Sequence, residues 1–179
     1  IVDDFSDLYV RDWLSKWQVA NPRHQVLYNK KNKGFSAPVN YGIRSTDSPY
    51  ICILNSDVIV TEGWLTKLVM ALEADPHNKI ANPVTNNTAL INVPMQEGAS
   101  YIDMNRGLEL ISTHKYPEIM PTGFCFMMER ELVKEVGYLD EGFQNYGEET
   151  DYWMRTIHHV KDGKYLQWKA VLLSDVHVP

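Results

Sequence analysis

The apolar run Tyr50-Ile51-Cys52-Ile53-Leu54 stops at Asn55-Ser56-Asp57 and resumes as Val58-Ile59-Val60. No other stretch constrains the fold as much. Short apolar runs rich in β-branched and aromatic residues are buried strands. A carboxylate at the mouth of such a strand stands where open α/β sheets bind ligands, at the carboxyl ends of their strands. Asp57 in that place could hold a divalent cation against a nucleotide diphosphate. Asn, Ser and Asp are also ordinary turn residues, and these three residues alone do not decide between the readings.

The rest of the chain alternates strand and helix patterns. Ile1-Val2 reads as the tail of a strand, followed by the polar turn Asp3-Asp4-Phe5-Ser6-Asp7. Ser6 or Asp7 can cap a helix carrying Leu8, Trp13, Leu14 and Trp17 toward a core, with Pro22 stopping it. Gln25 to Tyr28 is a second strand, Asn29 to Gly34 a loop with three lysines, and Ser36 to Thr46 a helix with Pro38 in its first turn. Trp64, Leu65, Leu68, Val69 and Leu72 recur at helical spacing between about Glu62 and Ala74. A short strand is expected near Lys79 to Val84, a loop over Thr85 to Gly98 and a helix over Tyr101 to Ser112.

Phe124 to Met128 is a strand, and Arg130 to Val136 a helix ended by Gly137. Gly147 to His158 is a helix opening on acids, and Tyr165 to Leu173 a late strand. This alternation predicts one α/β domain over residues 1–179, with a mainly parallel sheet flanked by helices. Opening inside a strand, the chain is expected to lack the sheet's first strand and helix.

A chain of 179 residues with 44% hydrophobic content suffices for a core. A net charge of -6 argues against a general nucleic-acid binder but not against nucleotide binding, since a metal ion can supply the positive charge. Cys52 and Cys125 both lie in apolar runs, where a free thiol behaves as a small hydrophobe. Two such cysteines suggest a reducing cytoplasm rather than a disulfide framework. No run reaches the ~18 apolar residues of a membrane helix. Asn86-Asn87-Thr88 matches a glycosylation acceptor, a chance match where no secretory signal is seen.

Asp3-Asp4-Phe5-Ser6-Asp7, Asn32-Lys33-Gly34-Phe35, Asn40, Leu54-Asn55-Ser56-Asp57, Gly123-Phe124 and Gly147-Glu148-Glu149-Thr150-Asp151 follow one another in a telling order. In that order the chain resembles the family 2 glycosyltransferases, whose GT-A fold is a nucleotide-binding α/β domain with a mixed, mainly parallel central sheet. The resemblance covers nearly the whole chain. It implies that Asp57 is the last acid of the metal-binding DxD motif, with Asn55 in place of the first. Mg²⁺ and Mn²⁺ accept one or two carboxylates plus substrate phosphates, so a single Asp57 suffices if another ligand helps. His177 matches a late histidine that completes the metal site in relatives, and imidazole favours Mn²⁺.

By the same resemblance Asp4 recognises the nucleobase, where a carboxylate accepts from a ring N–H. Gly34 lets the backbone approach the nucleotide, Asn40 lies beneath the donor site, and Gly123 belongs to the donor pocket. Each has a structural alternative: a turn, a loop glycine or a surface asparagine. Where the family usually has Glu-Asp, with the second acid as catalytic base, this chain has Glu148-Glu149. Glu149 therefore matches the base, with Glu148 and Asp151 in reserve. Helix spacing places Glu148 on one face with Tyr152 and Arg155, so an Arg155 ion pair at Glu148 would leave Glu149 free. Acids in a first helical turn also offset the helix dipole without any catalytic role.

The resemblance implies a metal-dependent, inverting transferase that moves a sugar from a nucleotide-diphosphate sugar to the hydroxyl of a glycan or lipid-linked saccharide, as in polysaccharide biosynthesis. Thr85 to Gly98 and Lys115 to Thr122 would shape the acceptor site, and Phe143 and Tyr146 could stack on a sugar. Partners are the donor and a saccharide-type acceptor, with no nucleic acid and no integral membrane segment; any membrane association would come through the acceptor. Two other classes fit the same residues: a nucleotidyltransferase, and a catalytically inactive sugar-nucleotide binding module suggested by the Asn55 and Glu149 departures.

Overall fold

The computed structural model describes residues 1–88, 91–95, 97–143 and 146–177, with side chains as far as Leu173. The chain forms two compact units. One is Ile1–Asp47 with Tyr138–Glu148, and the other Ser48–Gly137 with the chain from Glu149 onward.

In the first unit, β1 (Val2–Asp3) pairs in parallel with β2 (Leu27–Tyr28). Helix α1 (Leu8–Ala20) is capped by Asp7, whose carboxylate accepts from Val10 N at 2.9 Å. The expected inward face of α1 is corrected: within the helix only Leu14 is buried, while Leu8 and Trp13 face outward. Leu14 shares a face with the half-buried Trp17 at i+3, with Trp13 at the rim of that face and Leu8 carried off it by 100° per residue. Helix α2 (Ser36–Arg44) follows the lysine loop and packs on β1; a Cβ on Gly42 would lie 3.2 Å from Val2 Cγ2.

The second unit holds a four-stranded sheet of order β3-β5-β4-β8: β3 (Tyr50–Leu54), β4 (Asn78–Val84), β5 (Cys125–Glu129) and β8 (Lys169–His177). β5 is antiparallel to β3 and to β4, and β8 is parallel to β4. Three strands therefore run one way and β5 the other, the mixed but mainly parallel sheet the sequence predicts. Helices α3 (Trp64–Glu73) and α4 (Tyr101–Ile111) pack against it. Helix α5 (Arg130–Val136) leaves directly from β5 and ends at Gly137, φ 91°. Leu68, Ala71 and Leu72 of α3 interlock with Ala81, Cys125, Met127, Val171 and Leu173 to form the core. Each fully buried leucine is worth about 1.5–3 kcal/mol. Both thiols are free; the Cys52 sulfur beside Cys125, together with burial, pushes the Cys125 thiol far above its ordinary range.

Helix α6 (Glu148–Ile157) follows Gly147 and leads into a hairpin, β6 (Val160–Lys161) and β7 (Lys164–Tyr165), turned at Asp162-Gly163 with positive φ at both. The late strand is therefore corrected to Lys169–His177, because Asp-Gly closes a hairpin across Lys161 and Lys164 first. Among the described residues no helix is long and apolar enough to cross a membrane.

Candidate functional site

In the first unit the chemistry gathers where β1 and β2 end side by side. Their parallel pairing brings Asp3 and Asp4 against Asn29: Asn29 N donates to the Asp3 carbonyl at 2.9 Å and Asn29 Nδ2 to Asp4 Oδ1 at 2.7 Å. Asp4 Oδ2 accepts from Lys33 N at 2.8 Å, so the loop is strapped down before Gly34 turns it at φ 77°. Such a φ suits glycine. Asp3 is buried and accepts from Ser6 N at 3.2 Å and Arg11 Nε at 2.8 Å. Burial works to raise the Asp3 carboxyl, but the Ser6 and Arg11 hydrogen bonds outweigh it and hold it below the usual range.

Phe5, next to Asp4, has φ 72°, a left-handed conformation unusual for an aromatic residue. Arg11 lies over its ring at 5.4 Å. Strain of this kind concentrates at functional sites. Beside the loop, Lys30, Lys31, Lys33 and Arg44 line a cavity of about 500 Å³ with Tyr28, Asn29, Ala37, Tyr41 and Glu141. The sequence showed the lysines as a polar loop; folding turns them toward one concavity.

Asn40 does not present itself to a ligand. Its side chain is fully buried; Nδ2 donates to the Leu139 carbonyl (2.8 Å) and Glu141 Oε1 (3.0 Å), and Oδ1 accepts from Leu139 N (3.1 Å). This asparagine ties residues 99 positions apart, so it is an internal strut and not the surface asparagine of the structural alternative.

In the second unit the carboxyl ends of β3, β4 and β8 share one sheet edge with the start of β5. Asn55 N donates to the Phe124 carbonyl at 2.9 Å, continuing the β3–β5 ladder one step past Leu54 and Cys125. Asp57 is exposed in the turn that follows. Gly123 precedes Phe124, and a Cβ there would lie 3.7 Å from the Glu149 carboxylate. Thr150 Oγ1 approaches Met120 Sδ at 3.9 Å, so the first turn of α6 rests on the 120–124 segment. Asn55, Gly123 and Glu149 thus come together, with Asp57 two residues away along the chain. Among the described residues no hydrogen bond or ion pair engages the carboxylate of Asp57 or of Glu149.

The acids around Glu149 are arranged differently from the sequence expectation. Arg155 forks onto Asp151 Oδ2 through Nε and NH2, both at 2.8 Å, and donates to the Val136 carbonyl at 3.1 Å. The ion pair thus forms at Asp151, one turn away at i,i+4, rather than across two turns at Glu148. Glu148 is 8% exposed, aligned with the buried Tyr152 and Thr156. Burial pushes the Tyr152 phenol above its ordinary range, and its hydroxyl has no partner among the described residues. Tyr146, at φ 65° and 90% exposed, precedes Gly147 at φ 101°. A Cβ on Gly147 would meet Phe143 Cε1 at 3.3 Å, so Phe143 packs on the turn while Tyr146 stands in solvent.

Residues 1–137 match the model of glycosyl transferase family 2, about three quarters of the chain. The chain belongs to glycosyltransferase family 2. It is 24% identical over 168 residues to the putative polypeptide N-acetylgalactosaminyltransferase 9 of Drosophila melanogaster, covering 83% of this chain and 26% of that protein. The fold is similar to the crystal structure of GalNAc-T7 with UDP, GalNAc and Mn²⁺, at TM-score 0.70 and 18% identity over 99% of this chain and 36% of that one. S. aureus TarS 1-349 in complex with UDP matches at TM-score 0.63 and 15% identity, over 98% of this chain and 49% of that one. The chain therefore spans about a quarter to a half of the length of these relatives.

Within family 2, the fit of a divalent ion can be judged from the acids present. Among the described residues no three His, Cys, Asp or Glu side chains cluster as a metal cage. One exposed, unengaged carboxylate at a strand end is nonetheless the donor set of a hard cation that takes its remaining ligands from phosphate and water. Asp57 fits that role. His177 ends β8, its backbone in register with Val84, at the same sheet edge as Asp57. β8 lies three ladder steps from β3 in the sheet order, about 14 Å. The imidazole of His177 lies outside the described side chains.

Proposed function

We propose that this chain acts as one glycosyltransferase domain that transfers a sugar, with inversion, from a nucleoside-diphosphate sugar to an acceptor hydroxyl. The observation that carries the proposal is Glu149: a half-buried carboxylate against the bare backbone of Gly123, beside the strand end that leads to Asp57, and without a partner among the described residues. A general base needs such a carboxylate, held in place but not neutralised. Asp151 is less suited because Arg155 holds it, and Glu148 because it is buried.

Glu149 takes the proton of the acceptor hydroxyl while that oxygen bonds to the anomeric carbon from the face opposite the diphosphate. The bond from the anomeric carbon to the diphosphate oxygen breaks, and the nucleoside diphosphate leaves with the electron pair. Asp57, with His177 as a second ligand, would hold Mn²⁺ or Mg²⁺, which offsets charge on the leaving diphosphate. Asp4 and the Gly34 turn receive the nucleobase, and Asn55 anchors the strand end that leads to Asp57. UDP, the nucleotide in the GalNAc-T7 and TarS structures, is the first to test. A saccharide acceptor, polysaccharide assembly and a cytoplasmic setting belong to the same proposal; the two free thiols support the last.

Turnover of UDP-GalNAc, UDP-GlcNAc and GDP-mannose with Mn²⁺, against Mg²⁺ and chelator, tests this reading. Release of nucleoside diphosphate that needs the metal and is lost in Glu149→Gln is expected. Metal-dependent binding of all three without any turnover would leave a binding module in its place.

A further inference from the structure

We infer that Asn82 is a positioning residue for the base: it fixes the Thr122–Cys125 turn against which Glu149 rests and to which Asn55 is anchored. This rests on the reading of Glu149 as the base. Asn82 sits in β4, fully buried, on the same face as Ile80 and Val84. Its Nδ2 donates to the Thr122 carbonyl at 3.0 Å and the Cys125 carbonyl at 2.6 Å, with Thr122 Oγ1 at 3.5 Å. Its Oδ1 has no partner among the described residues. Rotating the amide would set that oxygen against two carbonyl oxygens, so the contacts themselves fix the orientation.

One amide thus clamps both ends of a four-residue turn. Between the clamped ends, Gly123 faces the Glu149 carboxylate, and Phe124 accepts from Asn55 N at 2.9 Å. Buried side-chain acceptors rarely go unsatisfied in folded proteins. This one is left unsatisfied at the point where the turn needs two donors and β4 can supply them only from a side chain. The sheet order explains the geometry: β4 lies next to β5, so the residue of β4 just beyond the Ala81–Met127 pair reaches under the start of β5. Asn82 touches neither Glu149 nor Asp57 and acts through the turn alone. Displacements near 1 Å at a reacting centre can cost about 100-fold in rate, so a clamp of this kind is a lever on turnover.

The test uses Asn82→Ser and Asn82→Leu in the full chain, with Glu149→Gln alongside. Hydrolysis of UDP-GalNAc and UDP-GlcNAc with Mn²⁺ is followed across pH, together with thermal unfolding, titration of UDP with Mn²⁺, and amide hydrogen exchange. The expected result for Asn82→Ser is a fall in kcat of about 10-fold or more. Donor KM and UDP affinity stay within about threefold. The acid limb of the kcat profile moves, and the Asn55 amide exchanges faster while the β4–β8 amides do not. Asn82→Leu fills the space without donating and should be worse; if it does not fold, Asn82→Ser carries the test alone. Unchanged kcat per folded molecule, with an unmoved acid limb and unchanged Asn55 exchange, would overturn the inference while an inactive Glu149→Gln left the base assignment standing. An active Glu149→Gln would overturn that assignment and this inference with it.

Discussion

The acids at the strand ends of the two units differ in how firmly they are held. In the unit of residues 1–47 and 138–148, Asp3 is held by Ser6 and Arg11, Asp4 by Asn29 and Lys33, and Glu141 by Asn40 and Arg44. In the other unit, the carboxylates of Asp57 and Glu149 take no hydrogen bond among the described residues, although Asp151, two positions from Glu149, is fully engaged by Arg155. Recognition of a nucleotide profits from a loop that is rigid before the ligand arrives, because ordering it on binding would cost affinity. A metal ligand and a base must instead keep lone pairs free for a cation and a proton. On the proposed reading, the held Asp4 suits recognition, and the unengaged Asp57 and Glu149 suit the metal and the proton.

The comparison breaks most visibly if Glu149→Gln stays active. Loss of a general base should lower turnover by about 10²–10⁴-fold, with UDP binding retained. Asp4→Asn should do the reverse, weakening UDP affinity with little change in kcat, and steady-state kinetics on both variants read the contrast directly. Next in size is Asp57→Ala, which should remove the Mn²⁺ dependence of UDP binding in calorimetric titration. His177→Ala should weaken Mn²⁺ affinity about 10–100-fold if the imidazole is a ligand; an unchanged Mn²⁺ dependence would return it to the end of β8.

Asp3 should matter for folding rather than chemistry. Asp3→Ala takes the carboxylate from Arg11, which keeps the Asn29 carbonyl at 2.6 Å, a loss of about 1–3 kcal/mol measurable by urea titration. The Asp3 carboxyl is depressed in the fold, so its contribution is complete above the ordinary carboxylate range and fades as pH falls through the depressed value. An Asp3→Asn variant should therefore lose less stability on acidification than the parent. The smallest effect belongs to Asp151→Asn: its pair with Arg155 is partly exposed, so the expected cost is about 0.2–1 kcal/mol, with turnover near normal. A large loss of turnover there would move the base from Glu149 to Asp151 and erase the contrast between free and engaged acids.

What was legible in the sequence is what local pattern determines. Tyr50–Leu54 and Arg130–Val136 form as their composition predicts, and Tyr101 begins a helix capped by Ser100. The Asp57 turn and the acids that open α6 were visible for the same reason. The rest depends on partners distant in sequence. Asn40 reads as a surface residue until Leu139 and Glu141 arrive to bury it. Asn82 reads as one polar residue in a short strand until β5 comes to lie beside it. The Arg155 pairing erred within a single helix, because two acids compete for one guanidinium and spacing alone ranked the wrong one first.

The segment expected to shape the acceptor site has a second attachment. Ile119 N donates to the Ala170 carbonyl at 2.9 Å and Leu172 N to the Pro117 carbonyl at 2.9 Å, with Glu118 bridged antiparallel to Val171. Pro117 to Ile119 therefore lies along β8, which ends the sheet on that side. A bare strand at a sheet edge invites pairing with other chains and aggregation, and a short taped-on segment containing proline is one way to blunt it. Exchanging this loop to alter acceptor choice would thus also strip a guard from the sheet. Variants recovered from such an exchange should sort first by how much soluble protein they yield, and only then by which acceptor they use.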